Sequence, residues 1–385
     1  MGLPVLSSSV RHLPIGEAWF WAPALKAKAE STAARIILRI ACSLRGIERD
    51  AARPRSRFIP HPQQYGRSPE RAFRLWWLCA CLDLDRRGDR DQALNWKPPA
   101  SILSMSRLPS HAVQGELKPL PNAHNVIVVG SGKGGVGKST VAVNLALALA
   151  TEGLKVGVLD ADIYGPSVPT MLGLSGKPES PDGKRITPMR AYGIETMSIG
   201  FLVGDDTPMI WRGPMVTQAL TQLLRDTLWG DLDILVVDLP PGTGDIQLTM
   251  AQKIPVAGAV VVTTPQEVAT MDARKALRMF EKVEISVLGL VENMAAHQCS
   301  SCGHVEHIFG KGGAEWMSGQ YGVPVLGSLP LEIGIREHGD AGTPIVVAEL
   351  HSAAAQAFRG VARSLLERLK ARPKVRTGIM ASLLK

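Results

Sequence analysis

The sequence predicts an α/β fold in which a mostly parallel, twisted sheet carries helices on both faces. Two observations predict it: from residue 125 onward, short apolar runs rich in β-branched residues alternate with helical patterns, and glycine or proline turns separate them. Such alternation is typical of parallel sheets, whose strands are buried on both faces and are therefore apolar throughout. The runs that predict strands are residues 125–130, 155–159, 234–237, 258–263, 287–291 and 323–326.

A glycine-rich loop follows the first predicted strand, and a helix follows the loop. Residues 132–140 read GKGGVGKST, which matches the phosphate-binding pattern G-x-x-x-x-G-K-[ST], and the alanine- and leucine-rich residues 141–150 predict the helix. Glycines let the backbone N–H groups face phosphate oxygens, and the positive end of the helix favours the anion. The sequence therefore predicts a P-loop NTPase that binds ATP.

The loop residues have distinct expected roles. Lys138 is expected to reach the β- and γ-phosphates, and the Ser139 hydroxyl is expected to ligate Mg²⁺. Lys133 directly follows the first glycine and is a cation that the plain pattern does not require. The loop residues predicted to bind the nucleotide are Gly132, Lys133, Gly134, Gly135, Val136, Gly137, Lys138, Ser139 and Thr140.

Acidic residues follow two of the predicted strands, at the edge where sheets of this kind bind ligands. After the strand at 155–159, Asp162 is the candidate for positioning the attacking water, and Asp160 for outer contacts to Mg²⁺. A helix-capping aspartate is the alternative for either. Asp238 ends the strand at 234–237 and is expected to hold the Mg²⁺ hydration shell.

Two further segments extend the predicted nucleotide site. Residues 239–245 read LPPGTGD, which suits a switch loop that senses the γ-phosphate, with the Gly242 N–H as donor and Asp245 at its end. Asn293 follows a later strand and is a candidate for hydrogen bonding the adenine edge. A structural asparagine in a turn is an equal alternative on spacing alone.

Cys299 and Cys302 form a C-x-x-C motif, which predicts a metal or redox pair. Because His304 and His307 lie close in sequence, a local zinc site with four ligands is one interpretation. An iron–sulfur cluster usually requires four thiolates, which two chains related by a two-fold axis would supply. Two unliganded cysteines are the third interpretation.

Positive charge is concentrated at the front of the 385-residue chain. Residues 1–115 hold 18 of its 43 Lys and Arg but 9 of its 35 Asp and Glu, so the net charge of +8 arises there. The near-neutral remainder predicts no nucleic-acid surface. No apolar run approaches the roughly 20 residues of a membrane helix. The predicted regions are a poorly ordered basic region and linker at 1–121, the ATPase domain at 122–370, and a basic tail at 371–385.

Together these motifs resemble the Mrp/ApbC branch of the MinD/ParA/nitrogenase-iron-protein class, which includes the mitochondrial NUBPL proteins. The resemblance covers residues 122–370, whereas residues 1–115 lack the pattern of the small α/β domain with which many bacterial members begin. Besides the loop and the C-x-x-C, the strings that carry it are LDADIYGPS at 159–167, WRGPM at 211–215, DLPPGTGD at 238–245, ENM at 292–294 and IFG at 308–310.

The resemblance implies an iron–sulfur cluster carrier that binds ATP and hydrolyses it slowly as a homodimer. It implies that Cys299 and Cys302 of both chains hold a labile 4Fe–4S cluster, which passes to apo iron–sulfur proteins, with cluster-scaffold proteins as further partners. Lys133 is then expected to reach the partner's nucleotide and to act with Lys138 and Asp162 in hydrolysis, as an arginine finger does elsewhere. The implied location is a bacterial cytoplasm, with the mitochondrial matrix as the lesser option.

Two other functions remain open at this point. One is a MinD/ParA-like positioning ATPase, which would need an amphipathic membrane helix or a basic DNA face. The tail at 366–385 is basic but short, so neither nucleic acid nor stable membrane association is expected. This function would also leave Cys299 and Cys302 without a role. The other is a zinc-stabilised P-loop ATPase that carries no cluster.

Overall fold

The computed structural model describes residues 108–113, 117, 119–202, 213–299 and 301–373. Most of the basic N-terminal region predicted at 1–121 lies outside the described residues, as does the tail from residue 374. Trp211, Arg212 and Ser300 also lie outside them. The proposed domain boundaries therefore stay predictions.

A central sheet and a small hairpin contain the strands. Their bounds are β1 (Ala123–Ser131), β2 (Val156–Asp160), β3 (Met189–Ala191), β4 (Ile194–Ser198), β5 (Leu232–Asp238), β6 (Gly258–Thr263), β7 (Val287–Glu292), β8 (His297–Gln298), β9 (Val305–Glu306) and β10 (Val325–Ser328). The central sheet has the order β10-β7-β6-β1-β5-β2-β4-β3, and β8 pairs with β9 separately. Its strands are parallel except for the β3–β4 pair.

The six predicted strand runs all overlap strands of the central sheet, and β6 has the predicted bounds. The run at 323–326 shares only its last two residues with β10. The sequence did not predict β3 and β4. In β4 every residue is buried, yet the strand contains Glu195 and Thr196, so it does not read as an apolar run. Glu195 is tolerated because its Oε2 accepts a hydrogen bond from the Gly230 N–H at 2.8 Å and its Oε1 accepts one from Arg190 at 2.7 Å.

Nine α-helices are described. Their bounds are α1 (Lys138–Thr151), α2 (Val168–Met171), α3 (Gly213–Asp226), α4 (Asp245–Lys253), α5 (Glu267–Lys282), α6 (Gly313–Tyr321), α7 (Ile333–Asp340), α8 (Ile345–Ala348) and α9 (Ala353–Lys370). Helix α1 contains the predicted helix at 141–150 and packs against both the sheet and α9, which explains why it is apolar on all sides. Across the described chain, none of the helices has both the length and the apolar character needed to cross a membrane.

The two faces of the sheet are covered by different helices. The connection from β1 to β2 and the connection from β6 to β7 run in opposite directions along the strand order. Crossovers between parallel strands are right-handed, so α1 and α5 lie on opposite faces. The predicted α/β fold, mostly parallel with helices on both faces, is confirmed. The carboxyl ends of β1, β2, β5 and β7 share one edge, which is where the predicted site residues lie.

A short segment, residues 108–113, binds the opposite edge of the sheet. The His111 N–H donates to Asn125 Oδ1 at 3.0 Å, and Asn125 Nδ2 donates to the Pro109 carbonyl at 3.1 Å. The Ala112 N–H donates to the carbonyl of Pro373, just beyond α9, at 3.1 Å. Because Asn125 lies near the start of β1, this segment is fixed far from the carboxyl edge.

Candidate functional site

The shape of the phosphate loop, which joins β1 to α1, requires glycine. Gly135 and Gly137 have φ of +81° and +78°, in the left-handed region that disfavours other residues. A Cβ at Gly134 or Gly135 would meet no heavy atom within 4 Å. The loop is therefore open on the side of these glycines, next to the positive end of α1, and this opening suits a phosphate group.

On its other side the loop packs against two neighbours with no spare room. A Cβ at Gly132 would lie 2.0 Å from the backbone carbonyl carbon of Asp272 in α5, and one at Gly137 would lie 2.3 Å from Asn293 Nδ2. The same Asn293 amide donates to the Val136 carbonyl at 2.9 Å and is 6% exposed. This contact corresponds to the structural alternative for Asn293, and a contact with adenine stays a prediction.

The Lys138 ammonium joins three segments at the carboxyl edge. Its Nζ donates to Asp238 Oδ1 at 2.7 Å and to Ser139 Oγ at 3.2 Å, and it lies 3.7 Å from Asp162 Oδ2. Lys138 is 6% exposed and Asp238 is fully buried, so removal of the lysine would leave the buried Asp238 carboxylate without this opposite charge. The structure brings these four residues together, and their catalytic roles remain predictions.

Two buried aspartates next to this lysine bind protons more tightly than usual. Burial, followed by the negative charge of Asp238, raises the pKa of Asp160 to about 7. Burial also raises the pKa of Asp238, while the Lys138 ammonium opposes this shift. The pKa of the less buried Asp162 is raised by burial too, against the same ammonium.

Asp160 fixes the backbone beyond β2. Its Oδ1 accepts from the Asp162 N–H at 3.1 Å, and its Oδ2 accepts from Ser198 Oγ at 3.1 Å and from the Val168 N–H at 3.3 Å. Ser198 lies on β4, which the sequence did not reveal. Asp160 thus orients the segment that brings Asp162 towards Lys138.

The residues around Asp238 fit a magnesium ion. The second carboxylate oxygen of Asp238, Oδ2, is buried and has no hydrogen-bond partner in the part of the chain that the structure describes. A carboxylate oxygen next to the Ser139 hydroxyl is the type of oxygen environment that Mg²⁺ and its bound waters prefer. Ser139 and Asp238 are therefore chemically suitable for Mg²⁺, because the buried Asp238 Oδ2 has no other partner among the described residues.

Ser131, the last residue of β1, connects the phosphate loop with the switch loop. Its hydroxyl donates to the Lys133 carbonyl at 2.9 Å, and its own carbonyl accepts from the Gly242 N–H at 3.0 Å. The predicted phosphate donor Gly242 is thus engaged with β1, and donation to a phosphate requires this loop to move. Ser131 was not predicted as a site residue, although it directly precedes the motif. The side chain of Asp245 lies outside the described set.

Cys299 and Cys302 lie in the turn between β8 and β9. The turn is closed by hydrogen bonds from the Gly303 N–H to the Cys299 carbonyl at 2.9 Å and from the Cys299 N–H to the His304 carbonyl at 2.8 Å. Both thiols are free, and Cys302 is exposed. The backbone N–H groups of Cys302 and Ser301 lower the pKa of Cys299, which favours the thiolate needed to bind metal.

The neighbouring histidines have contacts other than the two thiols. His307 Nδ1 donates to the Ala295 carbonyl at 2.8 Å, and His304 Nε2 lies 3.9 Å from Glu306 Oε1. Among the residues that the structure describes, no three or more His, Cys, Asp or Glu are placed to bind one metal ion. The described residues therefore do not assemble the local four-ligand zinc site, which stays an untested alternative.

The fold and the site define a P-loop NTPase: a parallel sheet, a glycine loop before α1, and a loop lysine paired with the carboxylate that ends β5. Membership of this class implies nucleotide binding and, in general, hydrolysis. Residues 122–366 match the family described as ParA: NUBPL iron-transfer P-loop NTPase. The chain belongs to this family, which confirms the resemblance found in its motifs.

Individual relatives agree with this assignment. The iron-sulfur cluster carrier protein of Escherichia coli (strain K12) is 55% identical over 281 residues, which are 73% of this chain and 73% of that protein. The mouse iron-sulfur cluster transfer protein NUBPL is 51% identical over 259 residues, 67% of this chain and 81% of the mouse protein. A nucleotide-binding protein from Archaeoglobus fulgidus, solved with ADP, is 38% identical with a TM-score of 0.54, covering 62% of this chain and 93% of that one.

Proposed function

We propose that this chain is a homodimeric carrier that binds ATP, hydrolyses it slowly, and assembles or transfers a 4Fe–4S cluster to apo-proteins. The observation that carries the proposal is the cysteine turn. It presents two thiols, one exposed and one with a lowered pKa, without any third ligand among the described residues. Two such turns from two chains supply the four thiolates that a cluster usually takes. The names of the E. coli and mouse relatives support an iron–sulfur cluster as the cargo.

The nucleotide site would act through charge and positioning. Lys138 and the loop N–H groups hold the phosphates, and Asp162 orients the attacking water. Ser139 and Asp238 would hold Mg²⁺, which neutralises charge on the β- and γ-phosphates when it is bound. Lys133 of the second chain stabilises charge that develops during transfer, so hydrolysis is slow unless two chains are correctly paired.

Anaerobic reconstitution tests the function. The full chain is incubated with iron and sulfide, and its visible absorbance, iron content and molar mass in solution are measured. We expect a broad absorption band in the blue part of the visible spectrum and four iron atoms for two chains. The band and the bound iron should both be lost in Cys299→Ala and in Cys302→Ala. Cys79→Ala removes a cysteine outside the motif and is the matched control, which should keep the band.

Two results would overturn the proposal. One is stoichiometric zinc with no iron uptake, which would support the zinc-stabilised ATPase. The other is iron that remains bound when Cys299 is replaced. Transfer is tested separately: the loaded protein is mixed with an apo iron–sulfur enzyme, and the recovery of that enzyme's activity is followed.

The same proposal includes a cytoplasmic location and no lasting contact with membrane or nucleic acid. Among the described residues, nothing favours a positioning ATPase, and residues 374–385 of the tail that would form its membrane contact lie outside them. Vesicle flotation of the full chain with ATP tests this point, because a positioning ATPase would bind anionic vesicles only with nucleotide.

A further inference from the structure

The segment that carries the cysteine turn leaves β7 and returns at α6, and one side chain closes it. Glu292 is the last residue of β7, and its Oε1 accepts a hydrogen bond from the Ala314 N–H in the first turn of α6 at 2.9 Å. The turn with Cys299 and Cys302 therefore lies within a loop of the chain whose start and end are held by Glu292.

Glu292 is a buried acid that the nucleotide site does not use. It is 3% exposed, and burial raises its pKa, while the backbone N–H groups of Ala314 and Gly313 act in the opposite direction. The first N–H groups of a helix have no partner within the helix, so this carboxyl satisfies donors that would otherwise be unpaired. The start of α6 also has little freedom, since a Cβ at Gly313 would lie 2.7 Å from the Pro265 carbonyl oxygen.

The residue after Glu292 is attached to the phosphate loop. Asn293 donates to the Val136 carbonyl, and its amide occupies the space where a Cβ of Gly137 would lie. Two adjacent residues at the end of β7 therefore hold different parts of the molecule. Glu292 holds the base of the cysteine segment, and Asn293 holds the loop that wraps the phosphates.

Further hydrogen bonds continue from this point to the cysteine turn. The Ala295 N–H donates to the Leu329 carbonyl at 2.9 Å, and His297 Nδ1 donates to the Leu331 carbonyl at 2.9 Å. On the returning side, His307 donates to Ala295 as described above. The chain between Asn293 and Cys299 is thus held by hydrogen bonds at Ala295 and His297.

We propose that Glu292 is a positioning residue for the cysteine pair: by clamping α6 to the end of β7, it makes the cysteine turn follow the phosphate loop. Nucleotide bound at the loop then changes the reactivity of Cys299 and Cys302. The inference rests on the proposed function only in that the loop binds ATP and that these two thiols bind the cargo.

The experiment follows thiol alkylation in the full chain, reduced and free of iron. Iodoacetamide labelling of the peptide with Cys299 and Cys302 is timed by mass spectrometry, with and without the magnesium complex of a non-hydrolysable ATP analogue. We expect the two rates to differ about fivefold or more, the lower end of common coupling between sites. In Glu292→Ala the ratio of the labelling rates with and without the analogue should fall to about 1. The affinity of this variant for the analogue should stay within about threefold of the wild-type affinity.

Matched variants separate positioning from general damage. Glu292→Gln keeps an oxygen that accepts from Ala314, so it should keep the ratio. Glu195→Ala removes another buried glutamate that binds a backbone N–H, at Gly230 and away from the loop, and should also keep it. Glu292→Asp shortens the side chain by one methylene and should lose the ratio, which provides the test if Glu292→Ala does not fold.

Three outcomes would overturn the inference: equal rates in the wild type with and without nucleotide, a full ratio in both Glu292→Ala and Glu292→Asp, or an equal loss in Glu195→Ala. The outcome is independent of the cluster assay. Iron uptake with no nucleotide effect on the thiols would retain the carrier function and reject the coupling. A nucleotide effect on the thiols without iron uptake would retain the coupling and reject the carrier function.

Discussion

The four glycines of the phosphate loop differ in what an added methyl group would meet, so their alanine variants should differ in stability. Gly134 lies outside the left-handed region and faces open space, and Gly135 has a φ of +81° with open space. Gly137 combines a φ of +78° with the Asn293 amide at 2.3 Å, and Gly132 faces the Asp272 backbone at 2.0 Å.

These obstacles give a graded set of free energies of unfolding. Gly134→Ala should be neutral or stabilising by up to about 1 kcal/mol, because alanine restricts the unfolded chain. Gly135→Ala should cost about 1–2 kcal/mol for its left-handed backbone. Gly137→Ala should add the loss of a buried hydrogen bond to Val136, about 1–3 kcal/mol, to a similar backbone term. Gly132→Ala should cost most, since backbone in α5 must move.

Urea unfolding of the four full-length variants without nucleotide measures this order. An equal cost for Gly134→Ala and Gly132→Ala would refute the reasoning, as would a Gly137→Ala no worse than Gly135→Ala. A double-mutant cycle isolates the neighbour. In an Asn293→Ala background, the cost of Gly137→Ala should fall by at least about 1 kcal/mol, because the amide it displaces is already absent.

Three further expectations concern other parts of the molecule. Lys133→Ala should lower ATP hydrolysis while nucleotide binding largely survives, and equal loss of both in parallel assays would refute its action across a dimer. Asp160 has a folded-state pKa of about 7 against 3.8 unfolded, so the stability it contributes is complete below pH 3.8 and is lost as pH rises through about 7. Asp160→Asn should flatten this slope in magnesium-free urea titrations, and an unchanged slope would contradict it. Asn125→Ala removes the anchor of residues 108–113, so cleavage there by a nonspecific protease should accelerate; an unchanged rate would show that the anchor lies elsewhere.

Most of the sheet was readable from sequence because its strands are buried on both faces. Such strands are continuous apolar runs, and glycine or proline marks their ends. The exceptions were β3 and β4. In β4, burial of Glu195 depends on the N–H of Gly230, a partner 35 residues away in sequence. A pattern that counts apolar residues has no means of finding such a partner.

The candidate site also has a part that the sequence predicted and a part that it did not. Residues 132–140 were recognisable because a phosphate loop requires a local order of glycines, lysine and hydroxyl. The four residues of the zinc interpretation do not come together in the structure: His307 donates to the Ala295 carbonyl, and His304 lies beside Glu306. Residues that are close in sequence form a metal-binding site only where the backbone directs their side chains towards the same metal ion.

By itself, the sequence determined the class of fold, the phosphate loop, the family and the thiol pair, since each depends on neighbouring residues and on regular spacing. Only the tertiary structure decided how these parts are joined. Asn293 reaches the loop across 157 residues, and Glu292 reaches α6 across 22. Those contacts arise because parallel strands bring their carboxyl ends to one edge of the sheet, and no local pattern records which side chains then meet.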